Sequence, residues 1–390
     1  MKNCIKTAAA VLLCVIFCFV SLSGCSGEKP PQLTSAEVLH EEEFGGVYIC
    51  MTIDDFNALG FSYGDSVKIV FSNGYELSDI PYYNGYYTRN GEPLLVAYPG
   101  YPYIKAAINN GDDLYTVAGL PENAPEGNDS SARTGVSCTA SITLNEHGKY
   151  AAIQNARDIH YYDERERYES DEIFANFRVI RAGGLREGIL CRSASPCDNQ
   201  HNRAPYVDAL IQNAGVSFIL NLSDNDQKIE GYLAQPDFGS PYFLSLYRSG
   251  KVDPIALNMN FTSDGFKAKI AAGLSVMAEN EGPYLVHCTE GKDRTGFVCM
   301  LLEALCGAGY DELVRDYMIT YDNYYGISET KEKEKYDVIV ESVLNPMIQV
   351  LTEGGNGDVK SADLARGAEL YLLEGGMTSD QIESLRKRLT

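Results

Sequence analysis

The sequence predicts two folded parts, a smaller β-rich domain over residues 38–155 and an α/β domain over residues 170–390. Three observations support this division. Short alternating apolar runs separated by turn residues fill the first part, which is the pattern of β-strands. In the second part, strand-like apolar runs alternate with longer amphipathic stretches, which is typical of helices packed on a sheet. A densely charged stretch at 163–167 (Asp-Glu-Arg-Glu-Arg) lies between them and marks the boundary.

The length and composition agree with a folded protein of this kind. The chain has 390 residues, of which 45% are apolar and 22% are charged, so two ordinary domains with buried cores can form. Asp and Glu total 54 against 32 Lys and Arg, which gives a formal charge of −22. Nucleic-acid binding needs surplus Lys and Arg against the phosphate backbone, so this charge predicts no nucleic-acid partner.

Residues 1–24 have the features of a secretory signal peptide. Two lysines make the start basic, and an uncharged apolar run over 8–20 is too short to span a bilayer comfortably. The Leu-Ser-Gly-Cys segment that ends at Cys25 resembles the lipobox of bacterial lipoproteins, which implies a lipid on Cys25. We therefore expect a tether over 25–37 and an extracytoplasmic protein anchored to the bacterial membrane. An ordinary cleaved signal or an uncleaved anchor is the alternative.

The cysteines predict neither a disulfide framework nor a zinc site. Of 11 cysteines, four lie in the first 25 residues, and the other seven are odd in number and irregularly spaced. Cys191 and Cys197 could pair, which the sequence leaves open. Because the chain has no Cys-X2-Cys or His-Glu-X2-His motif and its five histidines are scattered, we expect no metal.

The first part contains segments with the composition of strands. These segments are 66–71, 79–87, 94–98 and 137–144. Asn90-Gly91, between the second and third, predicts a hairpin turn. The polar segment 121–135 predicts a loop. Many of the 27 tyrosines lie here, where aromatic side chains usually fill a half-buried sheet.

The second part alternates predicted strands with predicted helices. Buried strands are expected over 217–222 and 284–287. Helices are expected over 206–213, 266–279, 295–308, 361–373 and 378–389.

One segment between a predicted strand and a predicted helix combines several reactive side chains. Cys288 and Arg294 are separated by five residues there. A loop that closes onto a helix N-terminus directs backbone N–H groups at one point, which makes an anion cradle, and the helix dipole favours the thiolate form of a cysteine. Arg294 suits two oxygens of a tetrahedral oxyanion, and Gly291 permits the tight turn. We expect the Thr295 hydroxyl to hydrogen-bond the sulfur.

The string from 287 to 296 (His-Cys-Thr-Glu-Gly-Lys-Asp-Arg-Thr-Gly) resembles the phosphate loop of the protein tyrosine phosphatase superfamily, His-Cys-X5-Arg-Ser/Thr. Its Gly-Lys-Asp-Arg-Thr-Gly part is similar to the bacterial tyrosine phosphatases, which include lipid phosphoinositide phosphatases. Residues 190–196 (Leu-Cys-Arg-Ser-Ala-Ser-Pro) resemble an upstream segment of that family. Residues 176–184 resemble its opening, although the usual Asp-Leu is absent, and 371–388 resemble its C-terminal helices.

This resemblance implies a tyrosine-phosphatase-like central sheet flanked by helices and a metal-free, cofactor-free hydrolysis of phosphoesters. Cys288 would attack phosphorus to form a cysteinyl-phosphate, while Arg294 and the loop hold the phosphate oxygens. The substrate would be a phosphorylated protein or a small phosphoester. The residues expected to bind it are Thr289, Glu290, Gly291, Lys292, Thr295 and Arg192.

The general acid is the least determined role. The resemblance favours Asp293, inside the loop. Its neighbours Lys292 and Arg294 oppose this choice because positive charges favour the ionised form of a carboxyl. Asp264 and Asp253, which precede the cysteine by 24 and 35 residues, are alternatives on a covering loop.

Three functions stay open at this point. The first is a phosphatase for phosphotyrosine, with phosphoserine or phosphoinositides as further substrates. The second keeps the chemistry but acts on inositol phosphates, as a phytase-like enzyme does. The third belongs to another class: a surface binding or adhesion protein whose β-rich domain docks a ligand and whose loop only holds phosphate.

Overall fold

The computed structural model describes residues 29–121 and 138–390. The predicted signal peptide over 1–24, the predicted lipid site Cys25 and most of the predicted loop over 121–135 lie outside the described residues. Within the described ranges, none of the helices combines the length and the apolar character that a membrane crossing requires.

The N-terminal part is a closed barrel of seven strands. The strands are β1 (Gln32–His40), β2 (Val47–Ile49), β3 (Ser66–Phe71), β4 (Glu76–Tyr83), β5 (Pro93–Val96), β6 (Ile104–Ile108) and β7 (Thr139–Glu146). Their order around the barrel is β1-β2-β6-β5-β4-β3-β7. Two short helices, α1 (Ile53–Ala58) and α2 (Leu114–Val117), lie in the connections. The structure thus confirms a β-rich N-terminal part and defines it as a barrel.

The start of the barrel corrects the predicted tether. Strand β1 begins at Gln32, so the stretch predicted as tether over 25–37 overlaps it. Leu33 and Val38 are buried, but the positive φ of 56° at Ser35 and a register shift against β7 interrupt the alternation between them. This bulge hides the period of two by which a strand is recognised in a sequence.

The predicted hairpin at Asn90-Gly91 is also wrong. A turn forms there, but β4 and β5 pair in parallel, so the segment 84–92 carries the chain back along the barrel between them. Tyr86 and Tyr87 leave the strand predicted for them and pack in a separate cluster around Tyr83. Packing of these rings outside the barrel interior has displaced the local strand preference.

The C-terminal part is a five-stranded sheet with helices on both faces, which confirms the predicted α/β class. Its strands are β8 (Arg178–Val179), β9 (Leu190–Ser193), β10 (Phe218–Asn221), β11 (Val252–Pro254) and β12 (Tyr284–His287). Their order is β11-β10-β12-β9-β8, and only β8 runs antiparallel to its neighbour among these described strands.

The helices of this part follow each other along the chain. They are α3 (Ala151–Arg157), α4 (Asp171–Phe174), α5 (Ala204–Asn213), α6 (Asp226–Leu233), α7 (Pro241–Arg248), α8 (Asp264–Glu279), α9 (Asp293–Leu305), α10 (Tyr310–Tyr325), α11 (Lys333–Ile339), α12 (Asn345–Gln349), α13 (Leu364–Glu374) and α14 (Ser379–Leu389). A π-helical turn joins α11 to α12. Helices α8, α9, α13 and α14 share the core on one face of the sheet, and α5 to α7 cover the other.

Strand β12 lies at the centre of the sheet, and all four of its residues are buried. In parallel α/β sheets, ligands bind at the carboxyl ends of the strands. The chain leaves β12 at this edge and enters α9 after a loop of five residues, Cys288 to Lys292. The fold therefore places this loop where an α/β protein usually holds its ligand.

Helix α3 connects the two parts. Ala156 belongs to the core of the α/β part, whereas Ile153 packs against the tyrosine cluster on the barrel. The boundary predicted between 155 and 170 thus follows an element that both parts share.

Candidate active site

The loop from Cys288 to Lys292 is fixed through its carbonyl groups. The Asn176 side-chain amide donates to the carbonyls of Gly291 (3.1 Å) and Glu290 (3.4 Å). Arg192 Nη2 donates to the Gly291 carbonyl at 3.0 Å, and the Tyr324 hydroxyl donates to the Glu290 carbonyl at 2.7 Å. These donors hold the loop carbonyls on the side that faces the protein.

The N–H groups of the same loop are left without partners. Those of residues 289 to 292 donate to no acceptor within residues 29–121 and 138–390. Directly after them begins α9, whose N-terminus adds its positive dipole end. Free N–H donors that lead into a helix N-terminus are the arrangement that binds anions in proteins, and the sequence predicts such a site at this loop.

Gly291 lets this loop approach the sheet. Its φ is +67°, and a β-carbon there would overlap the carbonyl group of Ser193 at the end of β9. A side chain would therefore push the loop away from β9. The glycine meets both a backbone and a packing requirement.

Arg294 lies in the first turn of α9 and keeps its charge available. Its Nη1 donates to the Leu257 carbonyl at 3.2 Å, and its Nη2 donates to Thr289 Oγ1 at 3.4 Å. It has no carboxylate partner among the residues that the structure describes. The segment 255–263, which joins β11 to α8, thus orients the guanidinium without neutralising it.

A buried ionic cluster lies beneath the loop. Asp316 on α10 accepts from Arg192 Nη1 at 2.6 Å and from Arg178 Nε at 2.8 Å. Burial alone would raise the pKa of Asp316, but the two guanidinium groups hold it well below its usual range. The carboxylate is therefore ionised and ties Arg192 in place under Gly291.

This placement corrects the predicted role of Arg192. The side chain is fully buried, and its Nη1 and Nη2 donate to Asp316 and to the carbonyls of Gly291 and Lys292. Arg192 cannot reach a substrate from there, so the prediction that it binds substrate directly does not hold. It positions the loop.

The rim of the loop carries both charges. Lys292 Nζ lies 3.5 Å from Glu290 Oε2 and 3.7 Å from Asp293 Oδ2. Burial would lower the pKa of Lys292, but Asp293, the hydroxyl of Tyr325 and Glu290 raise it well above the ordinary value. The Tyr161 hydroxyl donates to Glu290 Oε1 at 3.0 Å. Two carboxylates thus compensate the single positive charge of Lys292 at the rim.

The three candidate acids occupy different places. Asp293 is the first residue of α9, and its Oδ1 accepts from the Tyr317 hydroxyl at 3.3 Å. Asp253 lies half-buried on the edge strand β11, and burial, together with the charge of Asp226, raises its pKa. Asp264 is exposed at the start of α8. The covering segment 255–263 contains no carboxylate.

Two neighbours of the loop each have one buried polar atom without a hydrogen-bond partner among the described residues, namely Thr295 Oγ1 and His287 Nε2. Thr295 Oγ1 has no hydrogen-bond partner among the described residues, so the predicted bond to the Cys288 sulfur is not present. His287 is fully buried, and burial lowers its pKa to about 4, with Arg294 adding to the effect. The imidazole beside Cys288 is therefore neutral at pH 7.

The other thiols of the α/β part are core residues. Cys191 and Cys197 are free thiols, so the pairing that the sequence leaves open does not occur. Burial raises the pKa of Cys191 to about 11, and it also raises the pKa values of Cys197 and Cys299. A protonated, buried thiol is chemically inert. Cys288 is buried as well, and it differs from these thiols in its position at the start of the loop.

Sequence reasoning missed most of the residues that support the loop. Asn176 and Arg178 lie in the segment that resembles the family's opening, which is a signal that could have identified them. Tyr324 and Asp316 lie on α10 without any local motif. In the described ranges, no group of three or more His, Cys, Asp or Glu side chains could hold a metal ion.

Comparison with known proteins gives a family for this chain. The model described as the tyrosine phosphatase family matches residues 149–390, more than half of the sequence. A tyrosine-protein phosphatase of Nostoc commune is 31% identical over 124 residues, which cover 29% of this chain and 41% of the relative. A Cupriavidus necator protein with a tyrosine-protein phosphatase name is 26% identical over 98 residues, which cover 25% and 36%. The chain spans less than half of the length of these relatives.

One solved structure is a distant match. It is the core catalytic domain of the PP-IP phosphatase SIW14 of S. cerevisiae in complex with citrate, with 16% identity. The match covers 41% of this chain and 86% of that chain, at a TM-score of 0.25. A TM-score this low supports no conclusion about fold or substrate.

The ionic cluster beneath the loop yields a prediction about stability and pH. Asp316→Asn should lower the free energy of unfolding by roughly 3 kcal/mol, because two buried guanidinium groups lose their counter-charge. The pKa of Asp316 is lower in the folded chain than in the unfolded one, so its contribution is complete above about pH 4 and is lost as the pH falls through the folded value. Urea denaturation from about pH 3 to 8 measures this.

Asp322→Asn is the matched control on the same helix. Asp322 is paired with Lys331 at 2.7 Å but is 40% exposed, so its loss should cost less than about 0.5 kcal/mol. Equal destabilisation by the two substitutions, or a gap that widens toward low pH, would contradict the assigned role of Asp316.

Proposed function

Because the chain belongs to the tyrosine phosphatase family, we propose that it hydrolyses phosphate monoesters through a phosphate bound covalently to Cys288. The observation that supports this most directly is the loop itself. Its carbonyls are bonded to the protein and its N–H groups are free beside the cysteine. Phosphate oxygens are the natural acceptors for such donors.

The first step transfers the phosphoryl group to sulfur. The Cys288 thiolate attacks phosphorus, an S–P bond forms, and the bond from phosphorus to the leaving oxygen breaks. The general acid gives its proton to that oxygen. Arg294 and the free N–H groups hold the other phosphate oxygens, where charge is concentrated during transfer. Water then attacks phosphorus and gives a proton to the carboxylate that the first step left ionised, the S–P bond breaks, and phosphate and the thiolate are released.

Asp293 is the general acid in this proposal. It follows the loop directly, and the segment that orients Arg294 has no carboxylate of its own. Asp264 lies exposed at the far end of that segment. Asp253 is the second candidate, because its raised pKa favours the protonated form that an acid needs.

The proposed substrate is a phosphotyrosine-containing protein or a small phosphoester. The names of the two curated relatives favour the first. Phosphoserine, phosphoinositides and inositol phosphates are further candidates, since the loop would bind the phosphate group that all of these substrates share. We also propose, from the signal-like sequence before Cys25, that the protein is lipid-anchored outside the cytoplasm.

Replacement of the nucleophile tests the chemistry. Cys288→Ser should abolish turnover of p-nitrophenyl phosphate, by at least about a thousandfold, while the circular dichroism spectrum is kept. Cys50→Ser, at a half-buried thiol in the barrel part, is the control and should keep wild-type turnover. Unchanged turnover in Cys288→Ser would exclude the covalent mechanism. Phosphate binding by a wild type that turns over no phosphoester would favour the binding-protein alternative.

Substrates with different leaving groups identify the acid. Asp293→Asn should reduce kcat about a hundredfold for phenyl phosphate but much less for p-nitrophenyl phosphate, because a good leaving group needs no proton. Asp253→Asn is the matched variant. If Asp253→Asn shows the leaving-group dependence and Asp293→Asn does not, the acid is Asp253. Equal losses for both substrates in both variants would exclude both residues.

The anchor has its own test. Cys25→Ser, expressed in a bacterial host that processes lipoproteins, should move the protein from the membrane fraction to the soluble fraction. The comparison uses an immunoblot of both fractions, with Cys50→Ser as the control. Retention of Cys25→Ser in the membrane fraction would contradict a lipid anchor at this residue.

A further inference from the structure

Arg157 differs from Lys292, the cation on the loop rim, because no carboxylate pairs with it among the residues that the structure describes. It is the last residue of α3, and its guanidinium carbon lies 5.0 Å from the centre of the Tyr87 ring. Within residues 29–121 and 138–390, no hydrogen bond or ion pair involves its side chain. The adjacent carboxylate, Asp158, lies 3.5 Å from His160 instead.

Two contacts connect the Arg157–Tyr87 pair to the active site. On the α/β side, Tyr161 follows Arg157 by four residues, and its hydroxyl donates to Glu290 on the loop rim. On the barrel side, Asn90 follows Tyr87 by three residues, and its amide donates to the Met259 carbonyl at 3.4 Å.

Met259 belongs to the segment 255–263 that orients Arg294 through the Leu257 carbonyl. The barrel segment that carries Tyr87 therefore touches the segment that covers the catalytic arginine. Residues close in sequence to Arg157 and to Tyr87 thus contact the loop rim and the segment that orients Arg294.

Electrostatics agree with this location. Burial raises the pKa of Tyr321, and the positive charges of Lys292 and Arg157 oppose that rise, so both cations act on the same hydroxyl. Burial and Asp158 also raise the pKa of Tyr87, and Arg157 and Lys292 both counteract them. Lys292 is compensated by Glu290 and Asp293, whereas Arg157 is not.

We propose that Arg157, whose guanidinium lies over the ring of Tyr87 of the barrel, binds a second anionic group of the substrate. This inference rests on the proposed function and narrows its substrate class to phosphate monoesters that carry a second phosphate or carboxylate. A guanidinium stacked on an aromatic ring keeps its edge donors in one plane, which suits two oxygens of such a group. The barrel then completes the substrate site.

A plain structural role is the competing explanation. An arginine at the C-terminal end of a helix also interacts with the helix dipole. That role would affect stability and would reduce the turnover of every substrate by the same factor. Selectivity between substrates separates the two explanations.

The test compares phenyl phosphate with 1,3-phenylene bisphosphate and 3-carboxyphenyl phosphate, using the full chain. Arg157→Ala should lower the ratio of kcat/KM for the bisphosphate over phenyl phosphate by about tenfold, as expected for loss of a charge-assisted bidentate contact. The measurement with 3-carboxyphenyl phosphate shows whether a carboxylate can replace the second phosphate. An unchanged ratio for both dianionic substrates would overturn the proposal.

The chain offers a matched control. The Arg167 guanidinium lies 4.0 Å from the Tyr162 ring but is also paired with Glu164 at 3.4 Å. Arg167→Ala removes the same kind of stacked arginine and should leave the substrate ratio unchanged. A change as large as that in Arg157→Ala would show a nonspecific charge effect and would contradict the proposal.

The role of the barrel has a separate test. Tyr87→Ala should lower the same ratio in the same direction, and the double variant with Arg157→Ala should lose no more than Arg157→Ala alone. Independent, multiplicative losses would show that Tyr87 does not act through Arg157.

A binding measurement separates failure of this inference from failure of the proposed function. In the Cys288→Ser background, calorimetry should give tighter binding of pyrophosphate than of inorganic phosphate, and Arg157→Ala should remove about tenfold of that preference. If the wild type hydrolyses no phosphoester but this preference depends on Arg157, the proposed chemistry fails and the second anion site stands. If the wild type hydrolyses phosphoesters but no preference for pyrophosphate depends on Arg157, the proposed second anion site is wrong and the proposed hydrolysis is kept.

Discussion

The active site depends on how one short loop divides its hydrogen bonds. Asn176, Arg192 and Tyr324 take the carbonyl groups of Glu290 and Gly291. In a trans peptide the N–H points in the direction opposite to the C=O. Because these side chains hold the carbonyl oxygens toward the protein, the N–H groups of the same peptides point to the open side of the loop. The anion site is therefore a property of the residues behind the loop as much as of the loop itself.

This arrangement also explains why a charged cluster is buried under the site. Arg192 can hold two loop carbonyls only if its own charge is compensated, and Asp316 supplies that compensation while also pairing with Arg178. A buried ion pair contributes little to stability as a whole, but removing one member is costly. Here the pair fixes the geometry of an anion site in a chain with a formal charge of −22.

The sequence predicts the proposed reacting groups because their spacing is local. Cys288, Gly291 and Arg294 lie within seven consecutive residues, between a strand and a helix that the apolar pattern also predicts. The supporting groups are not local: Arg192 and Asp316 are 124 residues apart, and neither shows its partner in the sequence. For the same reason the role of Arg192 was mistaken, since burial depends on contacts between distant segments. The sequence does not predict closure of the barrel or the parallel pairing of β4 with β5 either, because both depend on contacts between segments that are separate in the chain.

Closure of the barrel limits what the N-terminal part can recognise. Each of its described strands is bonded on both sides, since β1 pairs with β2 and with β7. A ring of strands offers no open edge, so an incoming peptide cannot extend this sheet through main-chain hydrogen bonds. Any molecule that meets the barrel must be selected by side chains and their shape, and the same closure prevents the barrels of two copies from pairing edge to edge.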